Sequence, residues 1–214
     1  FDLDFSPNPG SESKIFQTQE SRGQEFRFSS VEGGAWDWAA GAAYGDSEVQ
    51  GNTTRSFFIP LPPQFGGGFA PVTTTTDYSL NEESYSLFGQ LTYNGIDSIG
   101  IHFGLRGDQY DKSLIRSAFG LSGPVPNINE SSDYSFISPR AGIDFELSDS
   151  SLIYVNSGIA YKPGGYSAFI DNPQLAQFNE EQSWTKEIGL KKRWLDDKVR
   201  TNFSIFHNNI DDYQ

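Results

Sequence analysis

The sequence predicts an all-β protein whose antiparallel strands run up and down as a segment of a transmembrane β-barrel. The first observation is a unit of two alternating apolar–polar stretches joined by a short turn, which recurs four times. The second is that short turns alternate with long connections rich in Gly, Pro, Ser and Asn. The third is that Trp and Tyr flank the short turns. Short turns at one end of the strands and long loops at the other are typical of membrane-spanning barrels.

Each of the four units is predicted to be a β-hairpin, which gives about eight strands in all. The predicted hairpins span residues 17–50, 82–112, 134–161 and 184–213. The connections between them are predicted to be long outward loops over residues 51–81, 119–133 and 162–183.

The second hairpin shows the alternation most clearly. One face of its first strand carries Tyr85, Leu87, Gly89, Leu91 and Tyr93, and the other carries Ser86, Phe88, Gln90 and Thr92. After the turn, Ile99, Ile101, Phe103 and Leu105 again share one face. Because successive side chains of a strand point to opposite faces, this period of two creates an apolar face that must be covered.

Lipid is the predicted cover for the apolar face. In a soluble β-sandwich a second sheet would cover it. The predicted strands are longer than the roughly five or six residues usual in globular proteins and long enough to cross a bilayer when tilted. The rings of Trp36, Tyr93 and Trp194 beside the turns suit the headgroup level of a membrane.

Composition excludes several other classes. A net charge of −13 and a pI of about 4.4 exclude nucleic acid as a partner, because a phosphate backbone requires a basic surface. The absence of Cys excludes disulfides, thiolate zinc sites and thiol nucleophiles. The mean hydropathy of −0.50 does not argue against a barrel, since each barrel strand offers only alternate residues to lipid.

No catalytic residue, metal ligand or cofactor is predicted. The two histidines, His102 and His207, are far apart in sequence, and they are assigned to the lumen face and the lipid face respectively. The carboxylate pairs Asp196-Asp197 and Asp211-Asp212 are predicted to be solvated charges near strand ends. A nucleophile elbow of the form G-x-S-x-G does not occur.

Several stretches, in the same order along the chain, resemble the barrel of TonB-dependent outer-membrane receptors. Residues 24–30 read QEFRFSS and precede a Gly-Gly turn and a Trp-Asp-Trp triplet. The other matching stretches are YSLFGQLTY (85–93), GLR (104–106), SPRAGIDF (138–145), YKPGGY (161–166), EIGLK (187–191) and WLD (194–196). The resemblance covers nearly the whole chain and is specific to the family, but it says little about the ligand.

The resemblance implies a central arc of a barrel with about 22 strands. The family's N-terminal plug domain and the segment that docks the TonB energy-transducing complex are not recognised in these residues. It also implies a place in the outer membrane of a Gram-negative bacterium, in contact with membrane lipid and lipopolysaccharide. The implied activity is TonB-driven uptake of a scarce nutrient, most commonly a ferric siderophore, without any chemical change to the ligand.

Five residues in the predicted loops are candidates for ligand binding. Arg55, Phe57 and Phe58 lie in the loop 51–81, and Tyr166 and Phe169 lie in the loop 162–183. Aromatic rings together with a cation suit a planar, anionic ligand. The alternative, more common for any single residue, is that these rings pack the loops together.

Two other classes of protein stay open at this point. One is a passive porin or an outer-membrane barrel enzyme; a porin is expected to fold one loop into its lumen, and an enzyme to carry a Ser/His pair near its rim. The other is a soluble carbohydrate-binding or adhesin β-protein, which would need no detergent, whereas a piece of barrel would aggregate through its open edges.

Overall fold

A computed structural model describes residues 10–31, 33–170 and 172–214, and the predicted antiparallel all-β fold is confirmed there. Eight long strands form the main sheet: β1 (Ser11–Ser29), β2 (Trp36–Pro60), β3 (Phe69–Ile96), β4 (Ile99–Gly120), β5 (Gly123–Ser148), β6 (Ser151–Lys162), β9 (Glu181–Trp194) and β10 (Val199–Asp211). Between β6 and β9 the chain forms two short strands, β7 (Gly165–Tyr166) and β8 (Gln177–Phe178), and one helical turn, α1 (Pro173–Ala176). A 3-10 turn at Pro63–Phe65 lies between β2 and β3.

The sheet has simple up-and-down topology. Its order is β1-β2-β3-β4-β5-β6-β9-β10, and every neighbouring pair is antiparallel. Strands β1 and β10 are its two edges, so the described residues form an open arc of a barrel wall. Strands β7 and β8 pair with each other in a separate small sheet. The described residues contain no helix that is both long and apolar enough to cross a membrane.

Two of the three predicted loops are mostly strand, and those boundaries were wrong. Within 51–81, β2 continues to Pro60 and β3 already begins at Phe69. Within 119–133, β4 continues to Gly120 and β5 begins at Gly123. In the third region, by contrast, β6 ends at Lys162, and residues 163–180 connect it to β9.

The misassigned strand ends have polar residues on both faces. On β2 the outward side chains change from Ala40 and Ala42 to Asp46, Glu48 and Asn52 beyond Tyr44. Such a segment has no apolar face, so the period of two disappears although the backbone ladder continues. β-branched residues, among them Thr73–Thr76 of β3, favour the extended conformation there.

One face of the sheet is apolar along its middle and remains uncovered by the protein itself. It displays large side chains that are each more than half exposed, including Phe26, Phe28, Leu87, Phe103, Leu105, Ile137, Phe203 and Ile205. The strand register brings these residues to the same side, for example Leu87 opposite Gly107 and Ala42. An exposed apolar patch of this extent marks a contact with a membrane or with another protein, and its band across eight antiparallel strands is typical of a lipid-facing wall. The sheet therefore matches the predicted lipid-facing wall and differs from half of a sandwich.

Aromatic rings border the apolar band at both of its ends. Near the short turns, the rings of Trp36 and Tyr93 lie 4.5 Å apart between centroids. At the other border, those of Tyr44 and Tyr85 lie 5.2 Å apart. From Trp36 to Tyr44 the strand provides about nine residues, as a membrane-spanning strand requires. These rings are placed as interfacial girdles.

The positions of two tryptophans give the tilt of the strands. The ladder that starts at Trp36 on β2 crosses the sheet to Ile188 on β9, whereas Trp194 lies six residues further towards the turn. Six residues correspond to about 20 Å along the strand, and the five strand spacings to about 24 Å across the sheet. Placing both tryptophans at one interface therefore requires a tilt of about 40°, within the range of outer-membrane barrels.

Strands β5 and β6 separate early, and Pro139 explains where. Their ladder ends at Arg140 opposite Gly158, although both strands continue. The Glu146 N–H donates to the Ser98 carbonyl at 2.8 Å, so even-numbered residues of β5 hydrogen-bond towards β4 and odd-numbered ones towards β6. Pro139 therefore faces β6 at a position where it has no N–H to donate.

Replacing Pro139 with valine is expected to extend the β5–β6 ladder. Valine restores the missing donor and favours the strand, and one added hydrogen bond stabilises by about 1 kcal/mol. The amide of Tyr161 is expected to exchange with deuterium about fivefold more slowly, as measured by mass spectrometry. Pro124→Val, near the far tip of the same strand, is the control. Unchanged exchange at Tyr161 in the Pro139 variant would contradict the explanation.

Candidate ligand-binding wall

Three arginines on the polar face of the sheet form what we term the arginine band: Arg27 on β1, Arg106 on β4 and Arg140 on β5. The guanidinium carbons of Arg27 and Arg106 each lie 5.6 Å from the centre of the Phe88 ring, between them on β3. A recess of about 350 Å³ is lined by all three arginines and Phe88. The result is a concave patch that combines positive charge with an aromatic ring.

The arginines are held in place yet remain accessible. Arg27 is paired with Glu25 at 2.7 Å, and Arg106 donates from Nε to Asp108 at 2.8 Å. Arg140 donates to the side-chain oxygen of Gln90. The side chains of Arg27 and Arg106 are 64% and 45% exposed. The Arg27–Glu25 pair is exposed on both sides and contributes little net energy, so an anionic ligand can compete with Glu25 for that guanidinium group. The Asp108 side chain is only 8% exposed, and Arg106 offers a ligand the exposed part of its guanidinium group.

Two glycines allow the side chains of this patch to lie flat on the wall. A Cβ at Gly41 would be 2.5 Å from the Phe88 ring and 2.6 Å from the Phe26 carbonyl oxygen. A Cβ at Gly104 would be 2.4 Å from Nε of Arg140. Any larger residue at Gly41 would displace the Phe88 ring, and any larger residue at Gly104 would displace the Arg140 guanidinium group.

Nearer to the short turns, the polar face carries a histidine–carboxylate pair. His102 Nε2 lies 2.8 Å from Asp144 Oδ2, and its Nδ1 lies 3.1 Å from the Thr92 hydroxyl. The predicted lumen-side register of His102 is therefore confirmed. His207 lies opposite Lys186, on the apolar side, as predicted.

Beyond the arginine band, residues 163–170 and 172–180 fold back over the polar face; we term them the inner loop. Its side chains Tyr166, Ala168 and Ala176 are buried in a small core with wall residues. The wall contributes Tyr78, Leu114 and Ile128, with Val49 and Leu80 partly buried against them. The packing of these apolar side chains against one another holds the inner loop on the wall.

Polar contacts fix the same loop. Arg116, which is 2% exposed, donates from Nε to the Ala168 carbonyl oxygen at 2.8 Å. The Tyr166 hydroxyl hydrogen-bonds to Ser132 of β5. Phe169 meets Tyr78 edge to face, with centroids 5.6 Å apart. The loop is thus attached at several points across β3, β4 and β5.

A line of aromatic rings occupies the gap between β5 and β6 below the inner loop. Phe136 stacks on Tyr161 at 4.9 Å and on Tyr134 at 6.3 Å. Tyr110 of β4 approaches Phe136 at 6.2 Å. Burial, reinforced by the Asp108 carboxylate, raises the pKa of the Tyr110 phenol, so it stays protonated and able to donate near neutral pH. These rings place aromatic faces and phenol hydroxyls beside the arginine band, where a ligand could contact them.

The five predicted ligand residues fall into two groups. Arg55 and Phe57 lie near the far end of β2 on the polar side, where Arg55 Nε donates to the Ser13 hydroxyl at 3.4 Å, and Phe58 points to the opposite side. Tyr166 and Phe169 belong to the inner loop, where Tyr166 is only 8% exposed and packs the loop core. A role for any of the five in binding stays a prediction.

The arginine band was not predicted as a site. The alternation places its arginines on the polar face, but they come from strands far apart in sequence. Their proximity depends on the register of four neighbouring ladders, for example Gln90 opposite Gly104 and Gly104 opposite Arg140. The sequence pattern predicts which strands pair within each hairpin, but it does not predict the register between strands of different hairpins.

Comparison with solved structures finds the same fold in known receptors. The ferric yersiniabactin uptake receptor FyuA from Yersinia pestis superposes with a TM-score of 0.83 at 19% identity, over 97% of this chain and 31% of that one. The siderophore receptor PiuA from Acinetobacter baumannii gives a TM-score of 0.62 at 16% identity, over 92% of this chain and 31% of that one. The unliganded ferric citrate transporter FecA gives a TM-score of 0.59 at 18% identity, over 96% of this chain and 33% of that one.

This chain spans about a third of the length of each of these receptors. At this level of identity the likeness shows the fold alone. Family membership rests on a separate finding, since the TonB dependent receptor-like β-barrel family matches residues 1–214, the whole of the sequence. Membership of this family indicates a β-barrel of the Gram-negative outer membrane. The chain belongs to the TonB dependent receptor-like β-barrel family.

Proposed function

We propose that this chain is part of the wall of an outer-membrane receptor that imports a ferric siderophore, driven by TonB. The observation that carries the proposal is the arginine band around Phe88, on the face opposite the exposed apolar band. A wall with lipid on one side and accessible guanidinium groups on the other suits the passage of an anionic solute.

The chemistry of the patch favours a ferric chelate over a neutral sugar. Iron-binding carboxylate and catecholate groups leave many ferric complexes with net negative charge, which guanidinium groups bind through charge-assisted hydrogen bonds. The rings of Phe88, Phe136 and Tyr161 add flat apolar surfaces for aromatic parts of such a ligand. The proposed activity is transport, so the ligand leaves the protein chemically unchanged.

The proposed orientation places the short turns in the periplasm and the long strand extensions outside the cell. The segment beyond Tyr44 and Tyr85 carries polar residues on both faces, which suits water rather than lipid. TonB would act through a plug domain of the whole receptor. Membrane lipid and lipopolysaccharide would contact the apolar face.

A passive porin is a second candidate, and one observation favours it. A porin is expected to fold a loop into its lumen, and the inner loop lies against the polar face in that manner. The two functions differ in their need for energy. A porin passes solute without TonB, whereas the proposed receptor does not.

The test is uptake of iron-55 by cells with the intact gene, the deleted gene, or the intact gene without TonB. Cells would be offered anionic ferric siderophores and, separately, a cationic one. We expect at least one anionic complex to be taken up only when both gene and TonB are present. Uptake that persists without TonB would favour the porin. Uptake of every complex unchanged by the gene deletion would refute an iron-siderophore function.

A further inference from the structure

Beyond its joint with β6, strand β5 has one unpaired side. The β5–β6 ladder ends at Arg140 and β6 itself ends at Lys162, whereas β5 stays paired with β4 as far as Ile128. Odd-numbered residues of β5 direct their N–H and C=O groups away from β4, so beyond the joint these groups lose their partner strand. In the described part of the chain no strand pairs with this side of residues 129–135. We term residues 129–135 the free edge.

The free edge is open to solvent. Its odd-numbered residues are all exposed: Asn129, Ser131, Asp133 and Ser135. The inner loop attaches instead to even-numbered residues of β5, where Gln177 donates to the Ser132 hydroxyl at 2.9 Å. The inner loop thus covers the lumen face of β5 and leaves the edge itself uncovered. An exposed edge about 23 Å long is a template for the addition of another strand.

The free edge is also acidic. It contains Glu130 and Asp133 and no cation. On the outer face, Asp133 ends a row of directly opposed carboxylates that continues through Asp111 and Glu83 to Asp46. No ion pair among the described residues joins Asp111 or Asp133 to a Lys or Arg. Because like charges directly opposite one another destabilise a sheet, a cation placed beside Asp133 would stabilise this one.

We propose that the free edge binds an extended, cationic peptide segment of a partner outside the cell, which adds to β5 as a further strand. The backbone of the segment hydrogen-bonds to the odd-numbered residues of the edge, and a Lys or Arg of the segment lies beside Asp133. Backbone pairing provides the affinity, and charge complementarity provides the selectivity.

The same charge argues against a second copy of this chain as the occupant. Pairing two free edges would bring Glu130 and Asp133 of both copies together, which like-charge repulsion opposes. The inference rests on the outward orientation proposed above, but it does not depend on the identity of the imported ligand.

The first test measures binding of labelled peptides to the full-length receptor in mild detergent by fluorescence anisotropy. The probe is a peptide of about seven residues that alternates Lys and Thr, matched to the length of the edge. One control peptide replaces every Lys with Glu, and another keeps Lys but carries N-methyl groups on alternate residues, which prevent strand pairing. We expect the Lys–Thr peptide to bind at least tenfold more tightly than either control.

Two pairs of variants locate the binding site. Asp133→Lys is compared with Asp46→Lys, since Asp46 is exposed in the same row but lies three strands, about 14 Å, away. Ser131→Pro, which removes one N–H of the edge, is compared with Ser131→Ala, which keeps it; Pro139 occupies the same side of β5 in the native chain. We expect Asp133→Lys and Ser131→Pro to weaken binding about tenfold, and their partners to leave it unchanged.

A second measurement needs no variant. Hydrogen–deuterium exchange with electron-transfer fragmentation follows single amides of the wild-type receptor with and without the Lys–Thr peptide. We expect the odd-numbered amides of the free edge to exchange fast alone and at least tenfold more slowly with the peptide, while the even-numbered amides, bonded to β4, stay slow in both states.

Three results would overturn the proposal. One is slow exchange of the odd-numbered amides without peptide, which would mean that another part of the receptor or a second copy already covers the edge. The others are equal binding of the Lys and Glu peptides, and equal weakening by Asp133→Lys and Asp46→Lys. Because the readout is peptide binding, failure here is distinct from failure of siderophore uptake.

Discussion

Replacing Leu114 with aspartate is expected to release the inner loop from the wall. Leu114 is fully buried at the centre of the core that holds Tyr166, Ala168 and Ala176. A carboxylate there is buried in an apolar core, beside an Arg116 whose Nε already donates to the Ala168 carbonyl oxygen, at a cost of about 3–5 kcal/mol. Such a cost shifts the docked loop towards the detached state by more than about a hundredfold.

Chymotrypsin digestion of the full-length receptor measures the release. The inner loop contains Tyr166, Phe169 and Phe178 as cleavage sites, and Tyr166 is protected by burial in the docked state. We expect rapid cleavage after Tyr166 in Leu114→Asp and slow cleavage in the wild type. Leu121→Asp, in the exposed turn between β4 and β5, is the matched control. Equal protection in both variants would show that other contacts hold the loop.

The second large effect is expected from removing two guanidinium groups of the arginine band together. In Arg106→Gln combined with Arg140→Gln, the polar wall keeps its approximate shape but loses two positive charges. A hydrogen bond to a charged group contributes about 1.5–3 kcal/mol, so we expect the concentration of anionic ferric siderophore for half-maximal uptake to rise at least tenfold. Lysine at both positions should restore part of the loss, because it keeps the charge without the forked geometry.

Arg22→Gln serves as the control for this experiment. Arg22 is 82% exposed and lies on β1 towards the side opposite the band, so its loss changes net charge without touching the wall recess. Heat-modifiable migration in gels checks that each barrel has folded. An unchanged half-saturation value in the double variant, or an equal change with Arg22→Gln, would mean that the band does not contact the ligand.

The sequence was informative where lipid imposes a pattern. In the membrane-spanning part, the apolar face makes the period of two visible, and the four hairpins with their short turns are predicted correctly. Beyond Tyr44 and Tyr85, both faces of the wall carry polar residues and the pattern vanishes. For that reason the sequence pattern predicts loops where the strands in fact extend to Pro60, Phe69, Gly120 and Gly123.

The candidate site was harder to predict than the fold for a related reason. Phe88 and Arg106 belong to the same hairpin, and their side is evident from alternation. Arg27 and Arg140 belong to other hairpins. Their positions along the strand direction, relative to Phe88, depend on the register between hairpins. Long-range strand pairing is set by side-chain packing across ladders, which a single sequence does not display.

The early end of the β5–β6 ladder has a mechanical consequence for the wall. Most neighbouring strands are joined along nearly their full length, but β5 and β6 are joined only between Arg140–Gly158 and Ser148–Ser151. Under tension across the wall, this joint would open before its neighbours. Across the gap, the Phe136 ring of β5 stacks on the Tyr161 ring of β6, a contact that can separate and re-form. The wall would thus deform most easily at the β5–β6 joint, whose position is determined by Pro139.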